Sequence, residues 1–561
     1  MFRKFCAAVF PCVLLLAQED KDKGKAETLV IKPDRTIEFT TNEATWMSVD
    51  VSPDGVTLLV DLLGDLYTLP AGGGELKPLQ TGMAWDCQPR YSPDGKQIAF
   101  ISDRNGSDNI WIMNADGSNP RALTKEKRFM PGSPVWSPDG QYVLARRWGA
   151  YPLDSYLRKS ELWLYHRDGG AGLQLTKGDA RHTRVAGPAF SPDGKYIYFS
   201  SMAGRFNYNV DLGKWQVQRL NRETGQIDAI TSEYGGGLRP LVSPDGRFLF
   251  YGTRRDAVTG LRVRDLETRA ERWLTRRVTR DDQEGFSAED TLPGYAVTRD
   301  GKSLYIAVDG KLQRLSLPAG ESQEVAFTAQ VKRELGKLVK FDSRVPDGPL
   351  PVKQMRWLHS TADGARLVFG AVGKIWVGQA SAPPQRLTAS GDREYAPSLS
   401  PDGRSIAYVT WNDREGGHLW RAPLDGGAPI QLSSTGALYA APQWSPDGSR
   451  IAFLMGSVSG WLEEDSADIF ELRTMSSAGG KSEFVTQVRS PNAQISWSGD
   501  GKRLYLNEVQ MGPPGSGERG STSLVSVRAD GVDKKTHVKI ADIATILPSP
   551  DQRWMIVLRH A

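Results

Sequence analysis

The stretch RYSPDGKQIAFISDRNGSDNIWIMNADGSNPRALT, residues 90 to 124, has the pattern of one repeating unit of a β-structured protein. Its SPDG segment predicts a tight hairpin turn, because proline fixes φ, aspartate tolerates the bridge conformation and glycine accepts positive φ. In KQIAFIS and NIWIMN the large apolar residues Ile98, Phe100, Ile110 and Ile112 recur at every second position of their segment, which is the period of a β-strand, and we predict that they face a sheet interface. We predict an innermost strand before the turn and three further strands after it.

The same turn recurs along the whole chain. SPDG or a close variant begins at eleven positions that are 39 to 63 residues apart. A period of this length in a strand-rich sequence predicts the blades of a β-propeller. The first residues of the eleven turns are Ser52, Ser92, Ser137, Ser191, Ser243, Thr298, Thr361, Ser400, Ser445, Ser498 and Ser549.

Eleven blades are more than one ring holds, since propellers have about four to eight. We therefore predict an all-β fold of tandem β-propellers with four-stranded blades, six in the first ring and five or more in the second. The longest interval between turns, from Thr298 to Thr361, contains a passage without the repeat pattern. The predicted divisions are a signal peptide (1–17), an N-terminal extension (18–50), the first propeller (51–328), an inter-propeller passage (329–355) and a second propeller truncated at its C-terminus (356–561).

The last repeat is shorter than the others. After SPDQ the sequence continues only as RWMIVLRHA, so the third and fourth strands of this blade are missing. Two explanations remain at this stage. Either the strand predicted in TIEFTT, residues 36–41, closes the second ring, or the sequence is a fragment of a longer protein.

The first twenty residues have the layout of a secretory signal, with Arg3 and Lys4 before the apolar run 5–17. Cleavage near Ala17 removes both basic residues and lowers the formal net charge from +4 to +2. A chain this close to neutral gives no electrostatic reason to expect nucleic-acid binding. After cleavage we expect no membrane span, and we expect a periplasmic or secreted location. Cys87 then remains alone, so no intrachain disulfide can form, and we predict a buried structural thiol.

No motif for catalysis or metal binding is present in the sequence. The six histidines do not occur in HxH or HExxH spacing, and no Gly-x-Ser-x-Gly elbow or phosphate-binding loop is found. We predict no catalytic residue, no cofactor site and no metal site. Two acidic groups, Glu463, Glu464 and Asp465 in one and Asp281, Asp282 and Glu284 in the other, are predicted to be solvated loops, with weak cation binding as the alternative.

A ligand would bind in the axial channel of a propeller, which the innermost strands and the loops before them line. A peptide or a small molecule would suit such a channel. The candidate channel residues are Trp85, Asp86, Arg128, His182, Arg184, Arg239, Asp290, Arg356, Glu394 and Tyr395.

The blade sequence SPDGKQIAFISDRNGSDNIWIMNADGS resembles the repeat of the TolB-like β-propeller group, also described as WD40-like or PD40 repeats. A closer resemblance covers nearly the whole mature chain. The segments TIEFTTNEATWMSVDVSPDG, DLLGDLYTLPAGGGE and TGMAWDCQPRYSPDG resemble the N-terminal region of exported amidohydrolase-family proteins, in which tandem TolB-like propellers precede a metal-dependent barrel. The barrel and its histidine ligands are not found in this sequence, so no catalytic residue is carried over.

The resemblance implies an exported, non-catalytic propeller region that binds or gates substrate for an amidohydrolase domain missing from this chain. Hydrolase activity is then expected only where a C-terminal domain is present in the complete protein. The alternative is a TolB-like periplasmic scaffold that binds proteins of the cell envelope. Fold alone does not decide between the two.

Overall fold

A computed structural model describes residues 32–149, 159–178, 182–203, 215–283, 285, 289–338, 343–344, 347–379, 382–458, 469–489, 494–510, 520–541, 543–549 and 553–559. The proposed signal peptide, the acidic group 463–465, and Glu284 lie outside these residues. All 45 elements formed by the described residues are β-strands. Among the described residues, no helix has the length and apolar character needed to cross a membrane.

Six antiparallel four-stranded sheets follow one another in the first part of the chain, each with its strands in chain order from the innermost outward. The first three contain β2 (Val49–Val51), β3 (Thr57–Leu62), β4 (Asp65–Pro70) and β6 (Lys77–Gln80); β7 (Asp86–Tyr91), β8 (Gln97–Ser102), β9 (Asn109–Asn114) and β10 (Arg121–Ala122); and β11 (Phe129–Trp136), β12 (Tyr142–Gly149), β13 (Ser160–His166) and β14 (Leu173–Gln174). The next three contain β15 (His182–Phe190), β16 (Tyr196–Ala203), β17 (Trp215–Asn221) and β18 (Ile227–Ala229); β19 (Leu238–Val242), β20 (Phe248–Arg255), β21 (Val258–Asp265) and β22 (Glu271–Thr275); and β23 (Ala296–Val297), β24 (Ser303–Val308), β25 (Lys311–Ser316) and β26 (Ser322–Glu324).

The sixth of these sheets packs against the first, which makes them a closed ring. The backbone N–H of Val49 donates to the carbonyl of Gly294 at 2.9 Å. Leu58 of the first sheet and Tyr305 of the sixth belong to one buried apolar cluster. We call these six sheets the first ring.

A second series of sheets follows, which we call the second ring, and it confirms the predicted class of tandem propellers. It has four antiparallel four-stranded sheets and one hairpin. The first two sheets contain β28 (Arg356–Ser360), β29 (Arg366–Ala371), β30 (Lys374–Gln379) and β31 (Ala382–Arg386); and β32 (Arg393–Leu399), β33 (Ser405–Trp411), β34 (Leu419–Pro423) and β35 (Ile430–Gln431). The others contain β36 (Leu438–Trp444), β37 (Arg450–Gly456), β38 (Ile469–Ser476) and β39 (Glu483–Arg489); β40 (Ile495–Trp497), β41 (Arg503–Gln510), β42 (Ser521–Arg528) and β43 (Lys535–Ala541); and the hairpin β44 (Ile543–Pro548) and β45 (Met555–Arg559).

The predicted closing strand near the N-terminus has a different partner from the one expected. Strand β1 (Arg35–Thr41) pairs antiparallel with β27 (Phe327–Leu335), which also pairs in parallel with β5 (Gly74–Glu75). The expectation that residues 36–41 complete the second ring is therefore wrong. Buried and exposed residues alternate along β27. Its buried residues Ala329 and Val331 belong to the apolar cluster that joins the first and sixth sheets, which explains why β27 packs there.

The repeated turn has the predicted conformation, and the hydroxyl of its first residue forms hydrogen bonds within it. Gly95 and Gly448 have φ of 71° and 72°, as the sequence predicts for the last turn position. The hydroxyl of Ser92 donates to Asp94 at 2.6 Å and accepts from the N–H of Gln97 at 2.9 Å. The first residue of the motif is thus a structural part of the turn.

The strands after the turns of the first ring are buried on both faces. Ile98 and Phe100, predicted to face a sheet interface, are completely buried, and so is Ala99 on the other face of the same strand. Both faces are covered because each blade is packed between two neighbours. The predicted buried thiol of Cys87 is confirmed, and burial raises its pKa well above the ordinary value.

Candidate functional site: the axis of the first ring

The innermost strands of both rings share a backbone feature that the turn motif does not reveal. Seven of them carry a β-bulge, and in each the bulged residue has a left-handed φ between 43° and 54°. This residue always lies four positions before the first residue of the turn, and a bulge there redirects its side chain. The seven residues are Gln88, Ser133, Gly187, Arg239, Trp357, Ala396 and Ala441.

In the first ring, two of these side chains meet at Asp290, which precedes the sixth blade. The Ser133 hydroxyl donates to a carboxylate oxygen of Asp290. Nη1 of Arg239 donates to the same oxygen at 2.6 Å. Asp290 is completely buried and has φ of 113°, a conformation that costs a non-glycine residue about 1 to 3 kcal/mol. The ion pair and the hydroxyl bond offset this strain.

Gln88 extends the network to the first blade. Its Oε1 accepts from the N–H of Ser133 at 2.7 Å, and its Nε2 donates to the carbonyl of Glu289. The N–H of Gln88 donates to one oxygen of Asp61 at 2.7 Å, and the N–H of Ser48 donates to the other at 2.7 Å. These bonds connect four blades and the segment before the sixth blade across the ring axis. We call this network, formed by Asp61, Gln88, Ser133, Arg239 and Asp290, the axial seal.

The segment that carries Asp290 is anchored by a completely buried ion pair. Arg254 donates from Nη2 to Asp281 at 2.7 Å and from Nε to its other oxygen at 3.0 Å. The Thr259 hydroxyl donates to Asp281 at 2.5 Å. The prediction that Asp281 belongs to a solvated acidic loop is therefore wrong, because a buried arginine from a neighbouring strand neutralises it. Its neighbour Asp282 is half-buried.

Burial changes the ionisation of the groups around the seal. It raises the pKa of Asp61 to about 7, although the N–H groups of Gln88 and Ser48 oppose the shift. It lowers the pKa of the Arg239 guanidinium, and the Asp290 carboxylate opposes that shift. It also raises the pKa of Glu289, which accepts a hydrogen bond from the Trp85 indole at 3.1 Å. The axis therefore holds charged groups with little access to water.

A funnel opens from the seal toward the face of the ring that carries the SPDG turns. Its volume is about 470 Å³, and all six innermost strands line it. Ser133 and Arg239 belong both to its lining and to the axial seal, so the seal is its floor. We call this cavity the turn-face funnel. The seal makes it a blind cup and not a passage through the ring.

The sequence-predicted channel residues of the first ring have different environments. Arg239 and Asp290 are brought together in the seal, whereas Asp86 pairs with Arg104 at 2.5 Å. Trp85 is 44 % exposed beside Glu289, and Arg128 is exposed just before β11. Arg184 is buried, and its guanidinium carbon lies 5.9 Å from the centre of the Trp148 ring. His182 begins β15, and its side chain lies outside the described part of the chain.

The three candidates of the second ring form no comparable network. Arg356 is exposed at the start of β28. Glu394 is buried and accepts a hydrogen bond from the N–H of Ile375 at 3.2 Å and another from the Thr388 hydroxyl. Tyr395 donates to the carbonyl of Tyr439 at 3.2 Å.

Sequence reasoning missed three members of the axial seal, Asp61, Gln88 and Ser133. For Gln88 and Ser133 a signal exists in the repeat itself, because both lie four residues before the turn, at the position that Arg239 occupies in the fifth blade. Aligning the repeats on the turn and comparing this one position would have shown polar residues in the first ring. No local pattern marks Asp61, which lies inside the buried strand β3.

No group of three or more His, Cys, Asp or Glu side chains that could hold a metal ion occurs among the residues the structure describes. The acidic group 463–465 lies outside the described residues. The prediction that this chain has no cofactor stays a prediction.

Comparison with known proteins identifies the repeat. Residues 31–150 match the family model described as the TolB beta propeller domain. The chain is 31 % identical over 231 residues to "Uncharacterized protein Atu1656" of Agrobacterium fabrum, which covers 39 % of this chain and 69 % of that protein. It is 31 % identical over 166 residues to "Uncharacterized peptidase YuxL" of Bacillus subtilis, which covers 24 % of each.

Among solved structures, the tricorn protease aligns with 92 % of this chain and 46 % of its own, at 13 % identity and a TM-score of 0.38. The chain thus spans about two thirds of Atu1656 but less than half of YuxL and of the tricorn protease.

Proposed function

Because this chain belongs to the family of Atu1656, the TolB-like β-propeller proteins, we propose that it is a binding scaffold and not a catalytic domain. The observation that carries the proposal is the blind turn-face funnel of the first ring. A cavity closed at its floor by buried ion pairs and hydrogen bonds can hold the end or a bend of a ligand. It cannot pass a substrate along the axis while the seal is intact.

The lining of the funnel supports a polypeptide as the ligand. Proline residues from five blades line it, together with the half-buried ring of Tyr91 and the edge of Trp136. Prolines offer apolar surface without an N–H group, and aromatic side chains contribute strongly to protein interfaces. An extended segment of a partner protein, packed against these rings, suits the funnel better than a small polar molecule does.

The funnel favours binding over gating. A gate would require the Arg239–Asp290 ion pair and the Ser133 hydroxyl bond to break each time a substrate passed. Breaking a buried pair costs several kcal/mol, because each charge is left without its partner. We therefore propose that any substrate handled by a linked hydrolase is held at the funnel and does not travel through the first ring.

The experiment uses the full chain and a neutral probe, the peptide acetyl-Ala-Pro-Phe-Pro-Ala-amide with a fluorescent label. We expect saturable binding at probe concentrations below about 1 mM. Replacing Pro93 and Pro192 at the funnel mouth by Trp should abolish it, since bulky rings there fill the opening. The matched control is Pro401→Trp in the second ring, which should bind as the parent does. Absence of binding, or binding unaffected by the double replacement, would contradict the proposal.

A second candidate function is to bind substrate for a linked hydrolase domain. The resemblance to propeller-bearing amidohydrolases favours it, and so does the likeness to YuxL, whose name describes a peptidase. On this proposal the partner is an amidohydrolase domain, and on the scaffold proposal it is a protein of the cell envelope. The reading frame after Ala561 tests the choice. A continuation that encodes a barrel with metal ligands supports the hydrolase, and a stop beside envelope genes supports the scaffold.

Export is also a proposal, and it rests on the leader sequence in residues 1–17. Expression of the full sequence in a bacterial host tests it. We expect the processed chain in the periplasmic fraction, starting near Gln18. A full-length chain that stays in the cytoplasm would contradict it.

A further inference from the structure

The charged residues of the turn-face funnel are unbalanced. Four charged side chains line it, Asp50, Arg90, Arg239 and Arg299, which are three cations and one anion. The Arg239 charge is neutralised from below by Asp290 at 2.6 Å. Arg90 faces Asp50 at 3.3 Å and donates to the carbonyl of Tyr295 at 3.2 Å. Of these four side chains, only Arg299 has no ion pair with another described residue.

Arg299 is exposed at the rim, and no hydrogen bond or ion pair of its side chain is found within the described part of the chain. The side chain borders the central funnel and also the two grooves on either side of the sixth blade. An arginine in this position can reach a ligand in the funnel without first breaking an internal contact. Its guanidinium presents up to five N–H donors to such a ligand.

Arg299 also departs from the repeat in a specific way. It occupies the second position of the turn in the sixth blade, where the other five blades of the ring have proline. The turn does not depend on that proline, because the Thr298 hydroxyl still donates to Asp300 at 2.6 Å and Gly301 keeps φ of 70°. The substitution therefore changes the funnel rim and leaves the fold unchanged. The five prolines that share this position are Pro53, Pro93, Pro138, Pro192 and Pro244.

The aspartates of the six turns lie outside the lining of the funnel. Each accepts a hydrogen bond from the hydroxyl of its own turn. Asp245 and Asp300, for example, face the groove between the fifth and sixth blades. The lining of the funnel itself therefore carries more cations than anions.

We propose that the turn-face funnel selects an acidic, extended segment of a partner protein, with a carboxylate of that segment bound by Arg299 at the rim. This inference rests on the proposed function and adds the charge of the ligand to it. The prolines and Tyr91 contact the apolar part of the segment.

The test uses the full chain and three labelled pentapeptides, acetyl-Ala-Pro-Phe-Glu-Glu-amide and its Gln-Gln and Lys-Lys counterparts. At about 20 mM salt we expect the Glu peptide to bind about fivefold more tightly than the Gln peptide, and the Lys peptide to bind most weakly. At about 0.5 M salt the difference should disappear, because dissolved ions then screen the attraction between exposed charges that are more than a few ångströms apart. Arg299→Gln should make the Glu and Gln peptides equal. Arg404→Gln, an exposed turn arginine of the second ring, should leave the preference intact.

Each outcome supports or overturns one of the two claims. Equal binding of the Glu and Gln peptides to the parent overturns the acidic preference but leaves the funnel as a binding site. A preference lost equally in Arg404→Gln shows a general surface effect and overturns the role of Arg299. No binding of any of the three peptides, together with no binding of the neutral proline peptide, overturns the proposed function itself. Thermal unfolding of both variants should match the parent, since neither side chain forms a hydrogen bond or ion pair with another described residue.

Discussion

Four residues before the turn motif, the innermost strands of the two rings make the same bulge with different side chains. In the first ring the bulged position carries Gln88, Ser133, Gly187 and Arg239, and the three that have side chains bond across the axis. In the second ring it carries Trp357, Ala396 and Ala441, which have little or no capacity for such bonds. The backbone of the repeat is thus constant, and one position within it determines whether the axis is sealed.

This comparison separates folding from function within each blade. The turn and the bulge place a side chain on the axis in both rings. The identity of that side chain is then available for function, because the repeat does not require any particular residue there. The predictions below test this division, beginning with the largest effect.

The anchor of the seal should be the most sensitive site in the first ring. Asp281→Ala removes the carboxylate that accepts two hydrogen bonds from the completely buried Arg254, so we expect a loss of about 3 to 5 kcal/mol in the stability of the first ring. Hydrogen exchange of the first-ring strands during denaturant titration measures it. Asp309→Ala is the matched control, since its pair with Arg277 is exposed and worth less than about 1 kcal/mol. Equal effects of the two substitutions would show that the buried pair is not an anchor.

Asp61 in the first ring and Asp447 in the second should make contributions of opposite sign to the pH dependence of stability. Burial raises the pKa of Asp61 to about 7, so the folded first ring retains a proton that the unfolded chain loses near pH 4. Between about pH 4 and 7 this group makes stability fall as pH rises, by up to about 1.4 kcal/mol per pH unit. Asp447 in a second-ring turn has its pKa lowered to about 2 by the Ser445 and Ser449 hydroxyls, so its contribution is lost as pH falls from about 4 to 2.

Unfolding of Asp61→Asn and Asp447→Asn variants across pH checks both signs. Asp61→Asn should reduce the decline between pH 4 and 7, and Asp447→Asn should leave it unchanged. A decline of the same size in Asp61→Asn and in the parent would contradict the assigned ionisation.

The pair at the centre of the seal should be energetically coupled. In a double-mutant cycle with Arg239→Met and Asp290→Asn, we expect a coupling energy of about 1 to 3 kcal/mol. The second ring supplies the comparison. Ala441→Ser places a hydroxyl at the position of Ser133 in a ring without the rest of the network, and it should not increase stability. Coupling below about 0.5 kcal/mol would mean that the charges of Arg239 and Asp290 do not hold the seal together.

The smallest effect should be the same in both rings, because the turn is common to them. Gly55 and Gly448 have φ of 77° and 72°, and an added methyl group would meet no atom closer than 3.9 Å at either site. Replacing either glycine by alanine should cost about 1 to 2 kcal/mol through the left-handed conformation alone. Chemical denaturation of the two variants measures it. A clear difference between the rings would show that the turns are not equivalent.

The sequence predicts the repeated part of this protein well and the axial part poorly, for a physical reason. SPDG and the alternation that follows are local, and they led to the turns, the four-stranded sheets and the tandem propellers. The seal depends on contacts between residues that are distant in the chain, such as Ser133 with Asp290. The acidic run around Asp281 was misread for the same reason, since its partner Arg254 is identified only by the fold. The sequence predicts Arg239 and Asp290 as channel residues because they lie within or before innermost strands, but their pairing depends on the fold.

Amide hydrogen exchange at the bulged residues tests the central claim most directly. In the first ring the N–H groups of Gln88, Ser133 and Arg239 donate to side chains, at 2.7, 2.7 and 2.8 Å. Within the described second ring, no side chain accepts from the N–H of Ala396 or Ala441. We predict that the first-ring amides exchange at least about tenfold more slowly, since each extra bond contributes about 1 kcal/mol or more. Equal exchange at these positions in the two rings would contradict the axial seal.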